Sequence, residues 1–137
     1  MEKVVLIIPN SRWTGKRPWI NVPYSALILT SLLKNEYAFS ILDANGNNHD
    51  EKEVESQLKA LSPKIIMVTA GSIEYHRQTH LTLAIAKSAC PSATTILGGV
   101  YPTTLPEEAV KDKNIDWLFM HHAEDRINAF LRLVLSG

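Results

Sequence analysis

The chain's 137 residues suit one domain with a normal buried core, and 45% apolar with 20% charged residues describes a soluble globular protein. Lys plus Arg and Asp plus Glu number 14 each, so the zero net charge lacks the basic surplus expected of a nucleic-acid binder. Cys90 is the single cysteine, which excludes an internal disulfide and any cysteine-only metal cluster and sets a reducing, cytoplasmic expectation.

The first apolar run, Val4 to Ile8, is continuous, as in a parallel strand covered on both faces. It falls far short of the about 18 apolar residues a membrane span needs, and no other run approaches that length. A long connection follows, opening Pro9-Asn10-Ser11-Arg12-Trp13 and running through Trp19 to Pro23. Its two tryptophans either cover a large apolar face or pack down on the sheet edge. Tyr24 to Lys34, entered through Pro23, predicts a helix, and Ala38 to Leu42 predicts a strand ending at Asp43.

Asp50 with Glu53 forms a capping arrangement ahead of a helical stripe at Val54, Leu58 and Leu61. Ile65 to Val68 is a third strand, followed by Thr69-Ala70-Gly71-Ser72, small and hydroxyl residues that serve either a ligand's polar tail or a capping turn. Leu81 to Ala89 carries the next helical stripe. His76 and His80 precede it four residues apart, on one helical face, as a metal pair or as exposed polar residues.

Thr94 to Leu97 is the fourth strand and ends in Gly98-Gly99-Val100-Tyr101. Adjacent glycines there let a flat ligand lie on backbone. Thr104 with Glu107 predicts a short helix reaching Lys111. Trp117 to Met120 is the fifth strand, His121 and His122 follow it as a second candidate metal pair, and Ile127 to Val134 is a last helix.

The alternation predicts an α/β fold over residues 1–137: a three-layer, doubly wound, Rossmann-like (flavodoxin-like) five-stranded parallel sheet in order 2-1-3-4-5. Ligands of such sheets bind at the carboxyl ends of the strands. The G-x-G-x-x-G and G-x-x-x-x-G-K-[ST] phosphate loops are absent, and a receiver domain's acidic residues are replaced by Pro9-Asn10 and Thr69.

Read together, these strand ends resemble the cobalamin-binding domain of B12-dependent radical SAM enzymes. The resemblance rests on Ile7-Ile8-Pro9-Asn10, Val22-Pro23-Tyr24, Tyr37-Ala38-Phe39-Ser40-Ile41-Leu42-Asp43 and Pro63-Lys64-Ile65 through Thr69. Its longest part is Gly98-Gly99-Val100-Tyr101-Pro102-Thr103-Thr104-Leu105-Pro106-Glu107-Glu108, against the family's Gly-Gly-x-His-Pro-Thr-x-x-Pro-Glu-Glu.

The resemblance implies that Thr69, Ala70, Gly71 and Ser72 meet the cofactor's nucleotide tail and that Gly98, Gly99, Val100 and Tyr101 line its slot, with His121 beside them. Pro9, Asn10, Ser11, Arg12 and Trp13 would lie beneath the corrin, with Arg12 or Trp13 under the metal. Residues 9 to 22 contain no histidine, so the resemblance implies base-off cobalamin without a histidine ligand from that loop. His121-His122-Ala123-Glu124 replaces the family's Gly-Glu-Gly-Glu, and side chains at these positions would crowd the slot.

Radical SAM chemistry needs a C-x3-C-x2-C motif, which Cys90 alone cannot provide. The iron–sulfur cluster and S-adenosylmethionine are therefore expected in a separate barrel domain, in cis or in trans, of a methyltransferase or cyclase, with this chain not itself catalytic. The last helix is where such a domain would hand over to the barrel. Two other readings stay open: a cofactor-free interaction or regulatory domain, and a flavodoxin-like flavin carrier.

Overall fold

The computed structural model describes residues 1–15, 24–121 and 124–137. Five parallel strands, β1 (Lys3–Ile8), β2 (Ala38–Asp43), β3 (Ile65–Ala70), β4 (Thr94–Gly99) and β5 (Trp117–Phe119), form one sheet in order β2-β1-β3-β4-β5. The expected topology and strand order are therefore observed. The chain reverses direction across the sheet after β2, which places the switch point between β1 and β3 and leaves β2 and β5 as the edge strands.

Strand residues alternate between two apolar layers. Val5, Ile7, Ile66, Val68 and Leu97 face helices α2 (Glu51–Leu61) and α3 (His76–Ala89). On the other face Val4, Leu6, Ile65, Met67 and Ile96 pack with α1 (Tyr24–Leu33) and α6 (Ile127–Ser136). Both faces are covered, which is why the central strands read as unbroken apolar runs rather than alternating ones.

The local signals resolve as physical contacts. The Asp50 carboxylate accepts the Glu53 N–H at 2.8 Å and starts α2. Ser62, in a left-handed conformation at φ 48°, ends it. The expected helix from Thr104 to Lys111 is instead two short helices, α4 (Val100–Thr104) and α5 (Pro106–Ala109). Leu105 is extended at φ −127°, ψ 61°, because Pro106 disfavours a helical residue before it, so Thr104 closes one helix rather than capping the next. Pro23, Trp19 and His122 lie outside the described residues.

Candidate functional site

The carboxyl ends of β3 and β4 open into a cleft of about 410 Å3 between the sheet and the α1 and α6 layer. Its deep part is formed by Leu6, Leu29, Met67, Ile96, Phe119 and Ile127, all buried members of the apolar layer on that face. Thr69, Gly71, Gly98, Gly99, Val100 and His121 are also in the lining, so six of the candidate cofactor-binding residues meet here. A second pocket of about 80 Å3 adjoins it through Ser25, Thr69 and Gly71. Pro9, Ser11, Ala70 and Ser72 line this smaller pocket with the hydroxyl residues Tyr75 and Thr79.

The two glycines do different work. Gly98 shares the strand parity of Ile96, on the cleft face, and a Cβ added there would meet only Phe119 at 3.5 Å. That position is open because nothing fills it. Gly99 sits at φ 108°, ψ −163°, a region essentially confined to glycine, and a Cβ there would stand 2.5 Å from the Ala70 carbonyl oxygen. The expectation that both glycines serve a ligand is thereby divided: Gly99 has a backbone reason of its own.

Helix α4 leaves this turn carrying Val100, Thr103 and Thr104 into the cleft wall. The Thr103 hydroxyl donates to the Gly99 carbonyl at 2.9 Å and accepts the His121 N–H at 2.9 Å. It therefore stitches α4 to the segment after β5. His121 is held at φ 67°, left-handed where the resembled pattern has glycine, and its exposed side chain borders the cleft without filling it.

A family model for the B12 binding domain matches residues 16–131, most of the chain. The chain belongs to the B12-binding domain family. A comparison with curated proteins finds no match.

Ligands of parallel α/β sheets bind at the carboxyl ends of the strands, and the residues present there fit a corrinoid. The cleft lies within the size range of small-molecule sites, its depth is apolar, and Gly98 leaves a cradle that a side chain would occupy. The hydroxyls of Ser25, Thr69 and Thr104 stand around it as polar partners.

The first loop of this B12-binding domain is occupied with its own scaffold. The Asn10 side-chain amide donates to Asn48 Oδ1 at 3.0 Å and to the His49 carbonyl at 2.9 Å. The Ser11 hydroxyl donates to Asn45 Oδ1 at 2.7 Å, and Arg12 Nη1 to the Asn45 carbonyl at 2.8 Å. Trp13 Nε1 donates to the His49 carbonyl at 3.0 Å, and its ring packs on the α2 and α3 layer, so Trp13 takes the packed-down alternative. From the opposite side, fully buried Gln78 donates through Nε2 to the Ser11 and Trp13 carbonyls at 3.0 and 2.9 Å. The structure thus brings Pro9 and Ser11 to the smaller pocket and pins Asn10, Arg12 and Trp13 against the β2–α2 loop.

Tyr101 points into the other layer, 4% exposed, and hydrogen-bonds His80 Nε2 at 2.8 Å. His80 Nδ1 in turn meets Asp112 Oδ2 at 2.7 Å. Burial, with the nearby Glu108 and Asp112 carboxylates, pushes the Tyr101 phenol above its ordinary pKa. His80 is thereby a link between α3, α4 and the α5–β5 connection. No cluster of three or more metal-ligating side chains occurs among the described residues. Cys90 caps the end of α3 with its thiol toward the Leu58 carbonyl at 3.5 Å, and burial pushes its pKa up.

Most of the deep residues carry no motif of their own in the sequence. Met67 and Ile96 share the face of Thr69 and Gly98 by strand parity and were recoverable from that alternation. Leu29 and Ile127 depend on which face α1 and α6 cover, a property of the crossovers that residue spacing does not carry.

Proposed function

We propose that this B12-binding domain is a corrinoid carrier. The nucleotide tail enters the cleft between the sheet and the α1 and α6 layer, and the macrocycle lies across the carboxyl rim. The single observation that carries this reading is the apolar cleft of about 410 Å3 that Gly98 leaves open at the end of β4. Thr69 and Ser72 offer hydroxyls to the tail's polar atoms, and the Gly98–Val100 backbone lets a flat group approach closely. When bound, a corrinoid supplies a cobalt centre for methyl transfer or radical chemistry.

A tail buried in the cleft keeps its base away from cobalt, so the carrier in this reading holds its corrinoid base-off, and residues 9 to 22 hold no histidine to take the vacated place. Its Asn10 and Gln78 bonds keep the loop's shape fixed. The lone Cys90 cannot hold an iron–sulfur cluster. The partner in this reading is a radical SAM barrel, in cis or in trans, that brings the cluster and S-adenosylmethionine. The resemblance at Gly98 to Glu108 supports that choice.

The test is to mix the protein with hydroxocobalamin, desalt, and record the absorbance spectrum, with a parallel flavin sample. Retained corrinoid with a base-off spectrum is expected. A histidine-ligated spectrum would overturn the base-off assignment, and retention of flavin alone would overturn the carrier reading.

A further inference from the structure

We infer that the cleft selects corrinoids by the polarity of the nucleotide base, preferring a benzimidazole-type base over an adenine-type one. The inference rests on the corrinoid-carrier reading and deepens it to a class of cofactor.

The cleft is divided by chemistry. Its buried residues, Leu6, Leu29, Met67, Ile96, Phe119 and Ile127, have no side-chain group able to make a strong hydrogen bond. At the depth of Met67 and Ile96 the backbone is taken up by the sheet, and the Phe119 carbonyl beside Gly98 is the backbone acceptor nearest the open position. β3 is paired on both sides by β1 and β4, and β4 by β3 and β5. Polar side chains of the lining, Ser25, Thr69, Thr103, Thr104, His121 and Glu124, are all partly or fully exposed, in contrast to the buried apolar set. Of these, the Thr103 hydroxyl already serves Gly99 and His121.

A planar base inserted to the depth of Met67 and Ile96 therefore leaves water without gaining partners. A benzimidazole presents a carbon edge there and loses little. An adenine carries an exocyclic amine and additional ring nitrogens, and each such group buried without a partner weakens binding. Stranding a single polar group corresponds to about tenfold or more in affinity. The sugar and phosphate of either tail remain at the hydroxyl-bearing edge, so that part of the ligand does not discriminate.

Equilibrium dialysis of the wild-type protein against cobalamin, its adenine-base counterpart and tail-less cobinamide tests the inference directly. Cobalamin is expected to bind at least about tenfold tighter than the adenine form, and the adenine form no worse than cobinamide. Met67→Gln, close in volume, places an amide in the deep part and is expected to shrink that ratio. Equal affinity for the two bases, both above cobinamide, would overturn the selectivity and leave the carrier reading standing. Cobinamide binding as tightly as cobalamin would remove the tail from the cleft, overturning the inference and the tail's placement while leaving corrinoid binding itself standing. Failure of all three to bind would overturn both.

Discussion

Gly99 and Gly98 make opposite predictions although they are neighbours. Gly99→Ala forces a Cβ against the Ala70 backbone in a conformation that L side chains rarely adopt. Urea unfolding is expected to show a loss of at least about 2 kcal/mol. Gly98→Ala adds a Cβ at ordinary contact distance from Phe119, so its unfolding midpoint is expected to stay within about 0.5 kcal/mol of wild type. Equal destabilisation by the two substitutions would contradict the division of roles. His121, left-handed with a side chain, offers the reverse case: His121→Gly is expected to stabilise the fold by up to about 1 kcal/mol in the same assay. The paired glycines were legible as a feature of the sequence. Which of them serves the fold was not, because it depends on the approach of β3 to β4 at Ala70, a contact between residues far apart in the chain.

Among the elements, the short α4 and β5 are tied to the fold by side chains. Tyr101→Phe removes the phenol from His80 and is expected to cost about 1 kcal/mol in urea unfolding, without loss of the parallel sheet. β5 is only three residues long, and Asp116 at its start binds Lys87 Nζ at 2.7 Å and the Thr95 N–H at 2.9 Å. Burial raises the Asp116 pKa, but the Lys87 and Thr95 bonds outweigh it, and the carboxyl lies below its ordinary value. A depressed carboxyl contributes stability above the unfolded pKa of about 3.9 and loses it as pH falls through the folded value. The wild-type unfolding midpoint is therefore expected to drop below about pH 4, and Asp116→Asn to flatten that dependence. A pH profile unaltered by Asp116→Asn would contradict the assignment. The elements themselves were largely readable from apolar runs and the Asp50 cap, because central parallel strands are apolar throughout. The break at Leu105 was misread because the proline two residues past Thr104 ends one helix and starts another.

For the whole molecule, strand order follows from the β-α alternation and right-handed crossovers, and that much is written in the sequence. The site is only half written there. Strand ends announce Thr69 and Gly98, but the cleft's depth comes from two helices at opposite ends of the chain, α1 and α6, folded onto one face. The first loop shows the same limit, since its asparagine and glutamine partners come from the β2–α2 loop and from α3. The molecular claim reduces to whether the space above Gly98 is where the corrinoid tail goes. The most direct measurement is the cobalamin affinity of wild type and Gly98→Val, taken by equilibrium dialysis alongside their urea midpoints. Wild type is expected to take up cobalamin, and a still-folded Gly98→Val to bind it at least about tenfold more weakly. Cobalamin bound equally by both proteins, or by neither, would contradict the molecular claim.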